Sequence, residues 1–89
     1  MSLLQKDLFL IKNWPEGAVV FDRRFGDTHA LNLVTSRVFE LLRADPQLNF
    51  ESIPPHLQAE FSELASDELR SQISHGFDQL LACGLIERA

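Results

Sequence analysis

Residues 26–42 read GDTHALNLVTSRVFELL, and within this stretch the spacing of the apolar side chains changes from two to 3.6. Thr28-His29-Ala30-Leu31 has the alternation of a strand. Beyond Asn32, the residues Val34, Val38, Leu41 and Leu42 fall on one face of a helix. Asn32 is a good N-cap, because its side-chain oxygen can accept from an unpaired N–H of the first turn. The spacing predicts a strand that runs directly into a helix ending near Arg43, where Asp45-Pro46 stops it.

On the N-terminal side, Leu8-Phe9-Leu10-Ile11 is short, apolar and partly β-branched, which predicts a first strand. Trp14-Pro15-Glu16-Gly17 has the form of a type I turn, with Pro at the second position and Gly at the fourth. Ala18-Val19-Val20-Phe21 is a second strand. Asp22-Arg23-Arg24-Phe25-Gly26-Asp27 is expected to be a hairpin loop, with Gly26 supplying a positive φ. Two short connections imply an antiparallel meander in the order 1-2-3, with the third strand at an edge.

On the C-terminal side, residues 46–55 predict an irregular connection pinned to the core by Leu48, Phe50 and Ile53. After Pro54-Pro55, the trio Leu57, Phe61 and Leu64 predicts a short second helix, with Pro55 in its first turn. Ser66 or Asp67 caps a third helix, whose stripe runs Leu69, Ile73, Phe77, Leu80 and Leu81. Gly84 sits where a left-handed C-cap is expected. Strands followed by helices imply an α+β domain, a three-stranded antiparallel sheet against a three-helix bundle. No repeat, low-complexity tract or linker divides the chain, so residues 1–89 are expected to form a single domain.

With 89 residues, the chain is long enough for one domain and too short for two. A hydrophobic content of 45% is ordinary for a globular protein and argues against disorder. The net charge of −5 is unevenly placed: residues 1–45 are balanced, and the whole excess lies in residues 46–89. An acidic half repels phosphate backbones and anionic headgroups, so neither nucleic acid nor membrane is an expected partner. Cys83 is the sole cysteine, which excludes an intrachain disulfide and favours an intracellular, cytoplasmic domain. The N-terminal apolar run, Leu8 to Ile11, is too short for a signal sequence or a membrane span.

Catalytic chemistry is missing from the pattern. Nucleophilic catalysis needs a nucleophile, a base and an orienting group in one pocket, whereas His29, His56 and His75 fall on a strand, a loop and a helix. No glycine elbow surrounds a serine, and the four glycines are isolated, so no phosphate loop is formed. His75 and Cys83 share one element, but eight helical residues hold them about 12 Å apart, too far to share a metal ion. No catalytic residue, metal or cofactor is therefore expected, and the chain is not expected to be an enzyme. Arg23-Arg24 could touch nucleic acid from a wing-like hairpin or simply be solvated. A recognition helix would need basic residues, and the third helix sets Arg70 against Asp67, Glu68 and Asp78.

The third helix carries a wide apolar arc of roughly 120°. Leu69, Ile73 and Leu80 cluster, while Phe77 and Leu81 extend the arc toward Arg70 and Ser74. Either a small domain uses the whole arc for its own core, or its flank borders a groove with the free edge of the third strand. An open edge offers unpaired N–H and C=O groups that an extended peptide can satisfy. The candidate peptide-binding residues are then Thr28, His29, Ala30 and Leu31 on the strand, with Arg70, Ile73, Ser74, Phe77 and Leu81 on the helix. For His29, a purely structural role stands beside ligand contact.

Gly26-Asp27-Thr28-His29-Ala30-Leu31-Asn32 leading into the first helix, together with the ending Leu80-Leu81-Ala82-Cys83-Gly84-Leu85-Ile86, resembles the PqqD-like peptide chaperones. These are recognition elements for ribosomally made, post-translationally modified peptides (RiPPs). The Gly-Asp-Thr-His stretch is most similar to a subgroup associated with an HPr-kinase-related system. The resemblance covers about residues 7–88 and rests on short, apolar motifs. It implies a winged-helix-like domain that holds a leader peptide between the third strand and the third helix and presents it to a modifying enzyme. The segment Asp45 to Pro55 departs from the family, being longer and proline-rich where many relatives have a short glycine-containing turn; this leaves the second helix's placement open. The function expected from residues and resemblance together is a non-catalytic chaperone for a leader or precursor peptide. The alternatives are a winged-helix-like regulatory or nucleic-acid module, and a structural subunit of a larger complex. A small acidic enzyme is a distant fourth.

Overall fold

A computed structural model describes residues 8–86; Lys6 and Asp7 of the N-terminal stretch, and Arg88 at the far limit of the family resemblance, lie outside the described residues. Three strands come first: β1 (Phe9–Trp14), β2 (Gly17–Asp22) and β3 (Asp27–Asn32). They form one antiparallel sheet in the order β1-β2-β3, with β3 at an edge as its sequence implied. Both hairpins pair to their ends, Trp14 opposite Gly17 and Asp22 opposite Asp27. Gly26 has φ 74°, the left-handed conformation expected of it, and its N–H donates to the Asp22 carbonyl at 2.8 Å.

Alternation decides what each face of the sheet does. The inner face carries Phe9, Ala18, Val20, Asp22 and Leu31, all buried. The outer face is left with Leu10, Trp14 and Phe21 exposed.

Helix α1 (Leu33–Ala44) follows β3 without a break. Asn32 caps it, its Oδ1 accepting from Thr35 N–H at 2.8 Å. Val34, Val38, Phe39 and Leu42 are buried in the core, where the Phe39 ring meets Phe9 edge-on at 5.7 Å. A single 3₁₀ turn (Phe50–Ser52) leads into α2 (Ile53–Leu57). The second helix thus begins before the proline pair rather than after it, and it ends at Leu57. Pro54 and Pro55 occupy the first turn, whose N–H groups have no helical partner to lose. Phe61 and Leu64, expected within this helix, lie in the turns that follow and still pack on the core. Leu48, Phe50 and Ile53 pin the connection as anticipated.

Helix α3 (Ser66–Ala82) is the longest element. Its cap is Ala65 rather than Ser66 or Asp67, and no side chain caps it. Asp67 and Glu68 in the first turn complement the helix dipole instead. At the other end Gly84, with φ 74°, closes a Schellman motif. The Gly84 N–H donates to the Leu81 carbonyl at 3.1 Å, and the Leu85 N–H to that of Leu80 at 3.0 Å. Leu69, Ile73, Leu80 and Leu85 close the core from this side. The result is an α+β, winged-helix-like fold with three helices among the described residues.

Candidate functional site

Among the described residues, no strand pairs with the outer edge of β3, so the main-chain groups along it have no ladder partner. Along a strand, the N–H and C=O of one residue point to one neighbour and those of the next residue point the opposite way. The Ala30 carbonyl points off the sheet, since it accepts from Gln79 Nε2 of α3 at 3.2 Å. Thr28 and Asn32 share its direction, while Asp27, His29 and Leu31 turn their groups to β2. The side chains of Thr28 and Ala30 are exposed on the outer face; His29 is half-buried and Leu31 buried on the inner one.

Beside this edge, a cleft of about 390 Å³ separates the β3–α1 junction from α3. Asn32 and Thr35 form one wall, with Gln72, His75, Gly76 and Gln79 forming the other. Its depth is set at Gly76, where a Cβ would come within 2.5 Å of Thr35 Oγ1. The helices therefore nearly touch there, and only glycine permits it. The lining carries no Asp, Glu, Lys or Arg and is rich in carboxamides that both donate and accept.

The two sets of sequence-derived candidates do not meet across one groove. Thr28 and Ala30 stand on the outer edge of β3. Gln72 and Gln79 lie roughly 140–160° around α3 from Phe77, so the apolar flank faces elsewhere. Phe77 packs on Phe50 of the 3₁₀ turn, edge-on at 5.9 Å, and Arg70 Nη2 bonds Glu51 Oε2 at 3.2 Å. Ile73 is fully buried and can touch nothing but its own core. Leu31 is buried likewise, and its main-chain groups are spent on β2. Ser74 is exposed and Leu81 half-buried on the far flank. What composition alone did not reveal is the other flank, Gln72, His75, Gly76 and Gln79. Its signals were an isolated glycine inside a helical pattern and two glutamines two turns apart.

The basic hairpin has a structural task. Asp22 is buried on the inner face and is held in a fork by Arg24, through Nε to Oδ1 at 3.0 Å and Nη2 to Oδ2 at 2.9 Å. Arg24 Nη2 also donates to the Gly84 carbonyl at 2.8 Å, tying the hairpin to the end of α3. The Asp22 carboxyl is lowered below its ordinary range by these hydrogen bonds from Arg24, which outweigh the opposing effect of burial. Arg24 is thus neither a solvated loop residue nor a spare phosphate contact. On α3, Asp67, Glu68 and Asp78 have no ion pair among the described residues. His29 Nε2 is buried without a hydrogen-bond partner.

Among the described residues, no group of three His, Cys, Asp or Glu is placed to hold a metal ion, and no helix is long and apolar enough to cross a membrane. No family model and no curated protein matches the chain. A solved structure, TbiB1 in complex with the TbiA(beta) leader peptide, is similar over 93% of this chain and 93% of that one, with a TM-score of 0.68 and 20% sequence identity. At that identity the likeness is one of fold: this chain and TbiB1 share an architecture of three antiparallel strands followed by helices.

Proposed function

We propose that this domain is a non-catalytic peptide chaperone, a RiPP recognition element of the PqqD-like kind. An extended leader or precursor segment adds to β3 as a fourth strand, and the domain presents it to a modifying enzyme. The observation that carries this is the open β3 edge lying directly beside a cleft on α3, in a fold shared with a protein seen holding a leader peptide. Main-chain pairing at Thr28 and Ala30 would set the register of the guest. Its inward side chains would enter the cleft lined by Asn32, Gln72, His75 and Gln79. The carboxylates of Asp67, Glu68 and Asp78, without an ion pair among the described residues, would favour a guest with basic residues nearby. The resemblance to a subgroup from a kinase-related system makes a kinase-related enzyme the first partner to try.

The test is an amide-shift titration of the labelled protein with synthetic peptides recovered from a random displayed library. Shifts gathered on residues 28–32 and 72–79 are expected. Shifts confined to β1, the Arg23-Arg24 hairpin, or Arg70, Ser74 and Leu81 would place the guest elsewhere and end the fourth-strand reading.

A second reading, a subunit of a larger assembly, is favoured by the outer face of the sheet. Leu10, Trp14 and Phe21 are 57%, 46% and 38% exposed, a concentration of large apolar side chains unusual for a free surface. Light scattering of the protein alone and with a partner enzyme separates this role from peptide capture.

A further inference from the structure

The Gln79–Ala30 contact occupies a group that the proposed guest must use. A fourth strand binds by donating its N–H groups to carbonyls along the edge, and the Ala30 carbonyl already accepts from Gln79 Nε2 at 3.2 Å. A carboxamide has the same donor and acceptor as a peptide unit, so Gln79 stands in for one peptide group of the missing strand. It reaches the edge from a helix whose end is fixed, with Gly84 closing the Schellman motif and its carbonyl held by Arg24.

We propose that Gln79 is a guard on the β3 edge: it caps the Ala30 carbonyl in the unloaded domain and must swing away for a strand to dock. This rests on the fourth-strand reading above and adds the step by which the site opens. A guard of this kind has two consequences. It lowers the affinity for every guest by the strength of one net hydrogen bond, and so discriminates against segments too short to repay its displacement. It also breaks the row of free acceptors, and thereby discourages two copies from pairing edge to edge.

The test uses the full chain, with Gln79→Met as the main variant. Methionine keeps the unbranched length of glutamine and removes the donor; Gln79→Ala serves as a second variant that also removes the volume. The probe is one synthetic peptide recovered from a random displayed library on the wild-type protein. In the wild type, the Gln79 side-chain NH₂ signals are expected to move in step with the Thr28 and Ala30 amides as the peptide is added. Gln79→Met is expected to bind the peptide about 2- to 12-fold more tightly, the range given by one ordinary net hydrogen bond. If the Thr28 and Ala30 amides shift while the Gln79 side-chain signals stay put, a strand docks without displacing the guard, and the inference is wrong. Equal or weaker binding by Gln79→Met also overturns it, the weaker case meaning that Gln79 holds the guest directly. If no β3 amide responds, the fourth-strand reading has itself failed and takes the guard with it.

Discussion

The two flanks of α3 have opposite fates. One flank carries Phe77 and Leu81, apolar enough to suggest a binding surface, and the chain covers it with its own segment: Phe50 lies on Phe77, and Glu51 pairs with Arg70. The other flank carries Gln72, His75, Gly76 and Gln79, which would pass for ordinary solvated surface, and it faces the free edge of the sheet across an open cleft. In a domain this small nearly all apolar surface is needed for the core, so an apolar flank is the one most readily covered from within. A site left open to a guest can afford to be polar, because its register comes from main-chain groups.

Ile73 sits between the flanks and tests which side of that division the core occupies. Ile73→Ala is expected to cost about 2–5 kcal/mol in urea unfolding, as a fully buried aliphatic side chain should. A loss under about 1 kcal/mol would move Ile73 out of the core and return it to the candidate binding surface. Phe77→Ala should cost less, about 1–2 kcal/mol, because that ring is half-buried. The side-chain amide signals of Gln72 and Gln79 should hold their positions in this variant. If peptide affinity collapsed while stability held, the covered flank would be the binding flank after all. Ser74→Arg, at an exposed position of the same flank, should change stability by no more than about 0.5 kcal/mol and leave peptide affinity within about twofold.

Acid is expected to perturb the end of the helix that both flanks share. Asp22 ionises below its ordinary value of 3.8 in the folded state, so its contribution is complete above that value and is lost as pH falls through the lower, folded value. The wild-type protein should therefore lose stability on acidification below about pH 4 more steeply than Asp22→Asn. Early amide shifts are expected at Gly84 and Leu85, with the Phe50–Phe77 contact undisturbed. Parallel acid profiles for the two proteins would detach Asp22 from this role.

Local chemistry was legible wherever one short stretch contained both cause and effect. The Asn32 cap, the left-handed Gly26 and Gly84, and the switch of period at residue 32 each need only a few neighbours to be inferred. The second helix was misplaced because proline marks a helix start as well as a break, and its first-turn role puts the helix boundary before the pair. The cleft was missed for a different reason. A helical wheel gives the width of an apolar arc and says nothing of which edge of the arc a distant segment will cover. Phe50 comes from a connection without periodicity, and no local pattern announced that it would lie on Phe77. Asp22 and Arg24 are two residues apart, yet their partnership draws its importance from Gly84, sixty residues further on.

The tie between Arg24 and Gly84 makes the seam between sheet and α3 a gauge of fixed width. One end of the helix is fastened to the hairpin, and at the floor of the cleft Gly76 already rests on Thr35. Under the fourth-strand proposal, a guest would have little freedom to lever the two sides apart. It would have to be thin enough to lie flat along the edge, so cargo would be selected by thickness before a single side chain is read.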